Sequence, residues 1–575
     1  MGVLSFIPFL LSQGFFRRQS KPVQAFGPHS FKSLGSSFYV EVPVRRVPGA
    51  RLVLFNRRLA ESLDLPVPKG GREIESALLE WFAWFKHESR AGEGDTPAED
   101  IETFFATRYQ DSDSRCAGSA LGDGRALWLG EIVRKTADDR MRYLDVVVKG
   151  IGATPLAWLK HPKKSHRDGM VGLTEAVHEY VYSLAAVRNG IDAAQVLAVI
   201  ELPFQRAAGG EKAALVVRVG NHLRFAHYRY FSNQPERLET LFEYGLKRDM
   251  GLPLDYPVGR QDARAYLDRI LAHLAEEAAA YYDLHAVHGS PTFGNRTSDG
   301  ASIDLSTFVY LDAHHAEYRY MPGCSYSLGG RWGQHEQLFV LFSDLMKLLR
   351  GSRFKYADTV EDEKRCWEKF RSVMESRLTQ SWLKRVGLAE SDIAALSADA
   401  KRRFFEVVKA IYEARGGKKI KLKKGRTYLA AFEPRRILAL TACYYGQFDD
   451  VEQLWERLFR VRRNWQTLAF EQARPFIQAY VQAYVQAVRQ LVAELDGSGE
   501  IVARWRDCAQ VTQLSDRREP GPDFFYDSER FLSTQSVLAR IRQGESGWEE
   551  NSRAADEAAG RLVDEGLAFG VAQRE

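Results

Sequence analysis

The segment HGSPTFGNRTSDGASID, residues 288–304, concentrates side chains that could bind a metal ion. Asn295 and Asp304 lie nine residues apart in this segment, after a His-Gly pair. Amide and carboxylate oxygens are ligands that Mg²⁺ accepts when it is bound to the phosphates of ATP. The segment therefore predicts a site for Mg²⁺ or Mn²⁺ together with ATP.

The same segment lacks a side chain that its chemistry would need. Kinases place an Asp in the loop just ahead of the metal-binding Asn, where it accepts the proton of the acceptor hydroxyl. Here the residue directly before Asn295 is Gly294. The pattern predicts a metal site that has kept its ligands and lost its catalytic base.

A lysine and a glutamate upstream could hold the phosphates. Lys149 ends the strand-like run VVVK and precedes GIGATP, and Glu179 follows in the helical run TEAVHEYVYSLAA. A lysine at the end of a buried strand can bind phosphates, and a helix glutamate can orient it. The alternative is a surface lysine and an exposed helix glutamate.

Two further motifs could contact phosphate. In LGDGR, residues 121–125, the glycines would let backbone N–H groups approach an anion and Arg125 would clamp it. A tight turn between strands would have the same sequence. Arg218 and Arg224 flank VGNHL after the run AALVV. They suit the outer phosphates of a nucleotide or, equally, salt bridges with neighbouring acids.

Hydrophobic periodicity divides the chain into a strand-rich half and a helical half. Between residues 127 and 219 the runs ALWLGEIV, YLDVVVKG, AQVLAVIEL and AALVVRV predict strands, and residues 173–188 predict one long helix. After Gln234 the pattern is helical almost throughout. We therefore expect an α+β, bilobal protein-kinase-like fold with a β-rich N-lobe, a helical C-lobe and a helical C-terminal extension, with ATP between the lobes.

The expected boundaries follow the same signals. They are residues 1–35 for an N-terminal arm or targeting segment, 36–235 for the N-lobe, 236–480 for the C-lobe with the metal site, and 481–575 for the extension.

Several local predictions complete this plan. The run FYVEVPV predicts a strand and LFNRRLAESLDLP a helix. Residues 69–120 predict helices with a polar loop, RAGEGDTPAED. The basic run KKIKLKKGR predicts a solvated loop, and residues 476–495 predict a helix whose apolar stripe packs in a core.

Composition limits the classes of function. The chain has 575 residues, a net charge of +5 and five cysteines without a CxxC pair. These values favour a globular protein of a reducing compartment that binds no nucleic acid and has no membrane span. The first 40 residues are basic and lack acids, as in an N-terminal arm or a mitochondrial targeting peptide. We expect a cytoplasmic protein, with the mitochondrial matrix as the alternative; oligomeric state stays open.

The ordered motifs resemble the selenoprotein O family, kinase-like proteins that transfer AMP from ATP to protein hydroxyls. The resemblance covers residues 37–349, more than half of the chain. Its blocks are FYVEVPVRRVPGARLVLFNRRLAESLDL, LGDGRALWLGE, VVVKGIGATP, RDG, HEY, RVGNHLRFAHYRYF and the segment 288–304.

The resemblance implies roles for the matched residues. Lys149 would bind phosphate and Glu179 would position it, while Asn295 and Asp304 would bind the metal ion. ATP would lie inverted relative to ordinary kinases, so that its α-phosphate is exposed and AMP moves. The residues expected to contact ATP are Gly122, Gly124, Arg125, Lys149, Asp168, Gly169, Arg218, Arg224 and Asp304.

The sequence also departs from the family pattern. Gly294 stands where the family has an Asp that serves as base. An AGHQFG-like block is reduced to DSRCAGSA, KHPKK is inserted after Lys149, and DYGPF is replaced by DLSTF. His288, Asp299, His314 or His315 could supply a substitute base.

Loss of the base leaves three functions open. General base catalysis contributes about 10²- to 10⁴-fold to rate, so transfer of AMP to a protein hydroxyl could survive in weakened form. A carboxylate acceptor is already ionised at neutral pH and needs no base, which would make the protein a ligase acting through an acyl-adenylate. The third possibility is a pseudoenzyme that binds ATP without turnover. The acceptor would accordingly be a protein or a small molecule.

Overall fold

The computed structural model describes most of the first 414 residues and shorter stretches after them. The described residues are 26–87, 101–111, 121–136, 138–157, 167–206, 210–284, 286–310, 317–321, 324–327, 334–356, 359–414, 418–421, 427–430, 438, 479, 482–495, 501, 528–543 and 547–562. Residues 1–25, the RAGEGDTPAED loop, DSRCAGSA, KHPKK, His314 and His315 lie outside these ranges.

An antiparallel sheet of nine strands forms the first half of the described chain. Its strands are β1 (Tyr39–Arg46), β2 (Arg51–Phe55), β3 (Trp84–Lys86), β4 (Ile101–Thr107), β5 (Ala126–Lys135), β6 (Met141–Lys149), β7 (Val171–Gly172), β8 (Gln195–Gln205) and β9 (Lys212–Gly220). Their order is β2-β8-β9-β6-β5-β4-β1-β3, and β7 pairs with β9.

The central strands β6 and β9 are apolar on both faces because packed layers cover both sides of the sheet. Val146 and Val148 face one hydrophobic cluster, whereas Val147 between them faces another. This double burial explains the continuous run VVVK. Strands β5, β6, β8 and β9 confirm the four strand predictions of this region.

Two predictions near the N-terminus are wrong in part. Leu54 and Phe55 belong to strand β2, which pairs with β8, and the helix starts only at Arg57, where the Asn56 side chain caps it. Residues 69–120 are not all helical, because Ile101–Thr107 pairs along its length with β1. That pairing is non-local, so local helical periodicity did not reveal it.

Helices surround the sheet and form most of the second half. They are α1 (Arg57–Ser62), α2 (Gly71–Phe82), α3 (Leu173–Arg188), α4 (Phe225–Tyr230), α5 (Pro235–Met250), α6 (Arg260–Leu284), α7 (Gln334–Leu348), α8 (Val360–Arg385), α9 (Glu390–Ala395), α10 (Ala398–Ala414), α11 (Ser528–Gln543) and α12 (Trp548–Leu562). Helix α3 has the bounds that the sequence predicts.

The helical half is organised around α6. Its residues Leu267, Leu271, Leu274 and Ala278 are buried at helical spacing, against α7 and α8. Residues 482–495 are helical and bury Tyr484, Val488 and Leu491 in the same core, which confirms the predicted core stripe.

Short strand pairs interrupt the helices. They are β10 (Ala286–Val287) with β11 (Val309–Tyr310), β12 (Glu317–Met321) with β13 (Cys324–Ser327), and β14 (Lys418–Lys421) with β15 (Thr427–Ala430). The prediction of a solvated loop is therefore wrong for the first four residues of KKIKLKKGR, because a partner strand pairs with them.

The last two described helices return to the sheet half of the molecule. The buried side chains of α11 and α12 share a hydrophobic cluster with Val177 and Tyr180 of α3 and with Val53 of β2. The Arg188 side chain of α3 forms a salt bridge with Asp556 of α12. These polar sequences therefore cover the back of α3.

Residues 26–35 pack against the sheet half. Phe31 is fully buried, and the His29 side chain hydrogen-bonds Asp145 of β6. None of the helices in the described ranges has both the length and the hydrophobicity needed to cross a bilayer. The fold is thus a mixed one, with one large antiparallel sheet and many helices.

Candidate functional site

A cluster of ionised side chains surrounds Lys149, the last residue of β6. The Lys149 Nζ atom lies 3.0 Å from Glu179, 3.1 Å from Glu175 and 2.8 Å from Asp304. Lys149 and Glu179 are each only 2% exposed. The structure therefore brings together the predicted lysine, the predicted helix glutamate and one predicted metal ligand.

Two arginines complete the cluster. Arg218 of β9 forms a salt bridge with Glu179 and lies 3.2 Å from Asp304, whereas Arg125 donates to Glu175 at 3.0 Å. The cluster thus contains three cationic and three anionic side chains. Arg218 is buried, so its guanidinium pairs with the acids of the cluster and is not exposed to solvent.

Strand register explains why these groups meet. Val147 of β6 is opposite Arg218 of β9, and Lys149 is opposite Val216. Lys149 and Arg218 are therefore diagonal neighbours on one face of the sheet. Val216 packs in the cluster that contains α3, so the glutamates of α3 lie over this face.

Glu175 is a site residue that the sequence analysis missed. It precedes Glu179 by four residues, and positions i and i+4 lie on the same face of a helix. That spacing was the available signal. In the structure Glu175 bridges Arg125 and Lys149.

The segment with Asn295 and Asp304 folds into a hairpin-like loop. The Ile303 N–H donates to the Asn295 carbonyl at 3.2 Å, and the Thr297 N–H donates to the Ala301 carbonyl at 3.0 Å. Closure of this loop brings the two predicted metal ligands to its open end.

Buried contacts anchor this loop on α6. The Arg296 guanidinium forms a salt bridge with Glu277 of α6, and the Ser302 hydroxyl donates to the same carboxylate. The Asn295 Nδ2 group donates to the Ser290 carbonyl at 2.9 Å, so its amide oxygen is the atom suited to a cation. Asp304 has a left-handed backbone with φ of 64°, which is uncommon outside glycine and recurs at functional sites.

Neighbouring charges keep the acids of the cluster ionised. Burial opposes ionisation of Asp304, but Lys149, Arg218 and Arg125 outweigh it and hold the pKa of this carboxyl well below its usual value. The pKa of Glu175 is also lowered, because Arg125 and Lys149 outweigh the effect of burial. Both carboxylates are therefore charged at neutral pH and suited to a divalent cation.

Buried polar atoms of Arg125 and Asp168 fit a hydrogen-bonding ligand. Within the described ranges, Nη1 of Arg125 is buried without an acceptor and Oδ2 of Asp168 is buried without a donor. Such atoms are costly unless a ligand or water satisfies them. Arg125 therefore has a donor suited to a phosphate oxygen, and Asp168 has an acceptor suited to a hydroxyl or amine.

The glycine-rich loops pack tightly on one another. Gly122 has φ of 153°, and a Cβ atom there would lie 2.1 Å from the Thr107 carbonyl oxygen. Thr154 of the GIGATP turn donates through its N–H to the Gly124 carbonyl at 3.0 Å. A Cβ atom at Gly169 would lie 2.1 Å from the backbone of Gly152. These glycines are thus required by packing, whatever they contact in a ligand.

Arg224 holds the loop ahead of Asn295. It donates to the Gly294 carbonyl at 2.8 Å and to the Tyr109 hydroxyl at 3.2 Å, and it lies 3.6 Å from Asp123. Arg224 thus forms a salt bridge with Asp123, which is one of the two roles that the sequence left open for it. A contact with phosphate stays a prediction.

His288 is unsuited to act as a substitute base. It is fully buried, and its two ring nitrogens contact the Ile303 carbonyl and the Ser290 N–H. Burial, reinforced by the charge of Arg296, lowers its pKa to about 3. Asp299 instead accepts from the Thr297 hydroxyl within the loop.

A second group of potential metal ligands consists of His29, Glu131 and Asp145. All three are buried, but the Arg248 guanidinium forms salt bridges with both carboxylates. A cation already occupies the centre of this group. It is therefore a buried ion-pair network that ties residues 26–35 to the sheet.

The fold gathers a buried lysine, two arginines and three carboxylates into one charged cluster. The lysine, held by helix glutamates, contacts the loop that carries the two predicted metal ligands. The family model described as Protein adenylyltransferase SelO matches residues 23–494. The chain belongs to this family.

Curated relatives agree with this assignment. A Protein nucleotidyltransferase YdiU of Cereibacter sphaeroides is 28% identical over 322 residues, covering 54% of this chain and 59% of the relative. Proteins of the same name from Burkholderia multivorans and Yersinia pestis are 29% and 27% identical, covering 54% and 57% of this chain and 55% and 62% of the relatives. The alignments thus span little more than half of each relative's length.

Proposed function

We propose that the protein is an ATP- and Mg²⁺-dependent nucleotidyltransferase that moves AMP from ATP to an acceptor. The observation that supports this most directly is the contact between Lys149 and Asp304 at 2.8 Å, with Glu179 behind the lysine. This contact places Lys149, a side chain suited to phosphate, next to Asp304, a side chain suited to a cation. Family membership supplies the reaction class.

The proposed arrangement is bilobal and kinase-like. The sheet and α3 supply Lys149, Glu175 and Glu179, while the loop anchored on α6 supplies Asn295 and Asp304. ATP would occupy the crevice between these two parts, within reach of Lys149 and of Arg125 Nη1.

Each residue then has a defined task. Asn295 and Asp304 would hold Mg²⁺ or Mn²⁺ through oxygen atoms. The metal ion would neutralise charge on the phosphates and on departing pyrophosphate. Lys149 would bind phosphate, and Glu175 and Glu179 would keep its amine in place. Arg125 would donate Nη1 to a phosphate oxygen, and Arg218 would hold Glu179.

The decisive experiment follows the label from ATP. The full chain should transfer radiolabel from α-³²P-ATP, but not from γ-³²P-ATP, to protein in a cell lysate. Asp304→Ala should abolish this transfer. Asp299→Asn should retain it, because Asp299 lies in the same loop but contacts Thr297.

Other outcomes identify the alternatives. Pyrophosphate exchange that requires a small carboxylic acid would indicate a ligase acting through an acyl-adenylate. Thermal stabilisation by ATP without transfer to any acceptor would indicate a pseudoenzyme and refute the proposal.

A further inference from the structure

We propose that Asp111 is the general base of this site and replaces the side chain that is absent at Gly294. Asp111 lies in the segment after strand β4, far from Gly294 in sequence. This inference rests on the proposed nucleotidyl transfer and deepens it, since it names the group that accepts the acceptor's proton.

The Asp111 carboxylate lies against the loop that precedes Asn295. Its Oδ1 atom accepts the Gly294 N–H at 3.0 Å, and its Oδ2 atom accepts the Thr292 hydroxyl at 3.1 Å. A Cβ atom built on Gly294 would lie 2.6 Å from Oδ2 and 2.8 Å from Cγ of Asp111. The carboxylate therefore occupies the space where a side chain at position 294 would begin.

This overlap links the two positions. Cβ contacts shorter than 3.0 Å are essentially never found, so a side chain at 294 and the observed Asp111 conformation exclude each other. Glycine at position 294 thus makes room for a carboxylate supplied by another part of the chain. Asp111 is partly exposed.

Several contacts hold the Asp111 segment in place. The Gln110 N–H donates to the Ala226 carbonyl at 3.0 Å, and the Tyr109 N–H donates to the Leu121 carbonyl at 3.3 Å. The Arg224 guanidinium lies 4.8 Å from the centre of the Tyr109 ring. The backbone that leads into Asp111 is therefore fixed by these contacts.

Arg224 also connects Asp111 electrostatically with the metal-binding loop. It donates to the Gly294 carbonyl, next to Asn295. Burial lowers the pKa of Arg224, but the interaction with Tyr109 and the carboxylates of Asp123, Asp304 and Asp111 outweigh burial and raise this pKa. The guanidinium thus lies within the field of both Asp111 and Asp304 and reduces the repulsion between them.

The proposed step transfers the adenylyl group of ATP to an acceptor hydroxyl. The oxygen of an acceptor hydroxyl forms a bond with the α-phosphorus of ATP, and the bond from that phosphorus to the bridging oxygen of the β-phosphate breaks. The hydroxyl proton moves to the Asp111 carboxylate and then to solvent. The electron pair of the broken bond leaves with pyrophosphate.

The first variant to test is Asp111→Asn. The amide oxygen can still accept the Gly294 N–H, and the amide nitrogen can donate to the Thr292 hydroxyl, so the loop keeps its contacts. AMP transfer should fall by about 10²- to 10⁴-fold, the range typical for a general base. ATP affinity measured by calorimetry and the melting temperature should stay near wild type. Asp138→Asn, at an exposed carboxylate between β5 and β6, is the matched control.

The second test moves the carboxylate. Gly294→Asp alone should not raise transfer, because the new side chain collides with Asp111 and adds a second negative charge. The rate of AMP transfer by the double variant Asp111→Ala/Gly294→Asp should exceed the rate by Asp111→Ala by at least about tenfold, which is part of the gain expected from a general base.

The outcomes separate the two proposals. AMP transfer at the wild-type rate by Asp111→Asn would overturn the role of Asp111, and so would faster AMP transfer by Gly294→Asp with Asp111 in place. Neither result would contradict the proposed nucleotidyl transfer. If the wild-type chain moves no label from α-³²P-ATP to any acceptor while still folded, the proposed function fails, and a catalytic role for Asp111 fails with it.

Discussion

Replacement of Lys149 by methionine tests the cluster most directly, because it removes the charge and keeps most of the length of the side chain. The variant leaves Glu175, Glu179 and Asp304 facing only Arg125 and Arg218. Loss of one partner of a buried ion pair costs about 3–5 kcal/mol. Since both arginines still contact these acids, we expect a loss in the free energy of unfolding of about 3 kcal/mol, near the lower limit.

ATP binding should change as well. A hydrogen bond from a charged donor contributes about 1.5–3 kcal/mol, so Lys149→Met should raise the Kd for Mg-ATP by roughly 10- to 100-fold. Urea unfolding and calorimetry measure the two effects. Lys247→Met is the control, because Lys247 pairs with Glu243 and donates to the Leu254 carbonyl elsewhere in the fold, and its loss should lower stability without changing ATP affinity. Reduced stability with unchanged ATP affinity would refute a phosphate-binding role for Lys149.

Three other perturbations test separate parts of the site. Asp304→Ala should remove the divalent-dependent part of ATP binding in calorimetry, and unchanged metal dependence would place the metal elsewhere. The pKa of the Glu175 carboxyl is lower in the folded chain than its usual value of 4.5. As the pH falls, the unfolded chain therefore binds a proton at this position before the folded chain does. The stability lost in Glu175→Gln should therefore be largest at neutral pH and shrink between pH 4.5 and about 2, as measured by urea unfolding; a constant difference would contradict this assignment. Ala558→Asp places a charge in the buried contact between α12 and α3 and should lower stability by about 3 kcal/mol or more, whereas Glu557→Lys on the exposed side should change the melting temperature little.

The sequence was sufficient to predict those helices and strands that are buried along most of their length. Helix α3 buries most of its residues, and the central strands are covered on both faces, so their apolar runs predicted them directly. Strand β4 was missed because its identity depends on pairing with β1, a contact that local patterns do not encode.

The site was predictable in its residue types and less so in its contacts. The pairing of Lys149 with Glu179 followed from a strand lysine and a helix glutamate, but Lys149 and Asp304 are separated by 155 positions. Only the resemblance to a known family related those two residues. Asp111 and Gly294 are 183 positions apart in the sequence. None of the family blocks recognised in the sequence contains Asp111, and the shortened block DSRCAGSA begins just after it.

The packing of α12 on α3 has a consequence for synthesis of the protein. Arg188 and Asp556 are 368 positions apart, so a ribosome needs on the order of 20–70 s to add the second after the first. During that interval the apolar back of α3 has no cover from α11 and α12. The helix with Glu175 and Glu179 therefore reaches its final surroundings late. A nascent chain should therefore gain the full stability of the packing around α3 only after these last helices emerge.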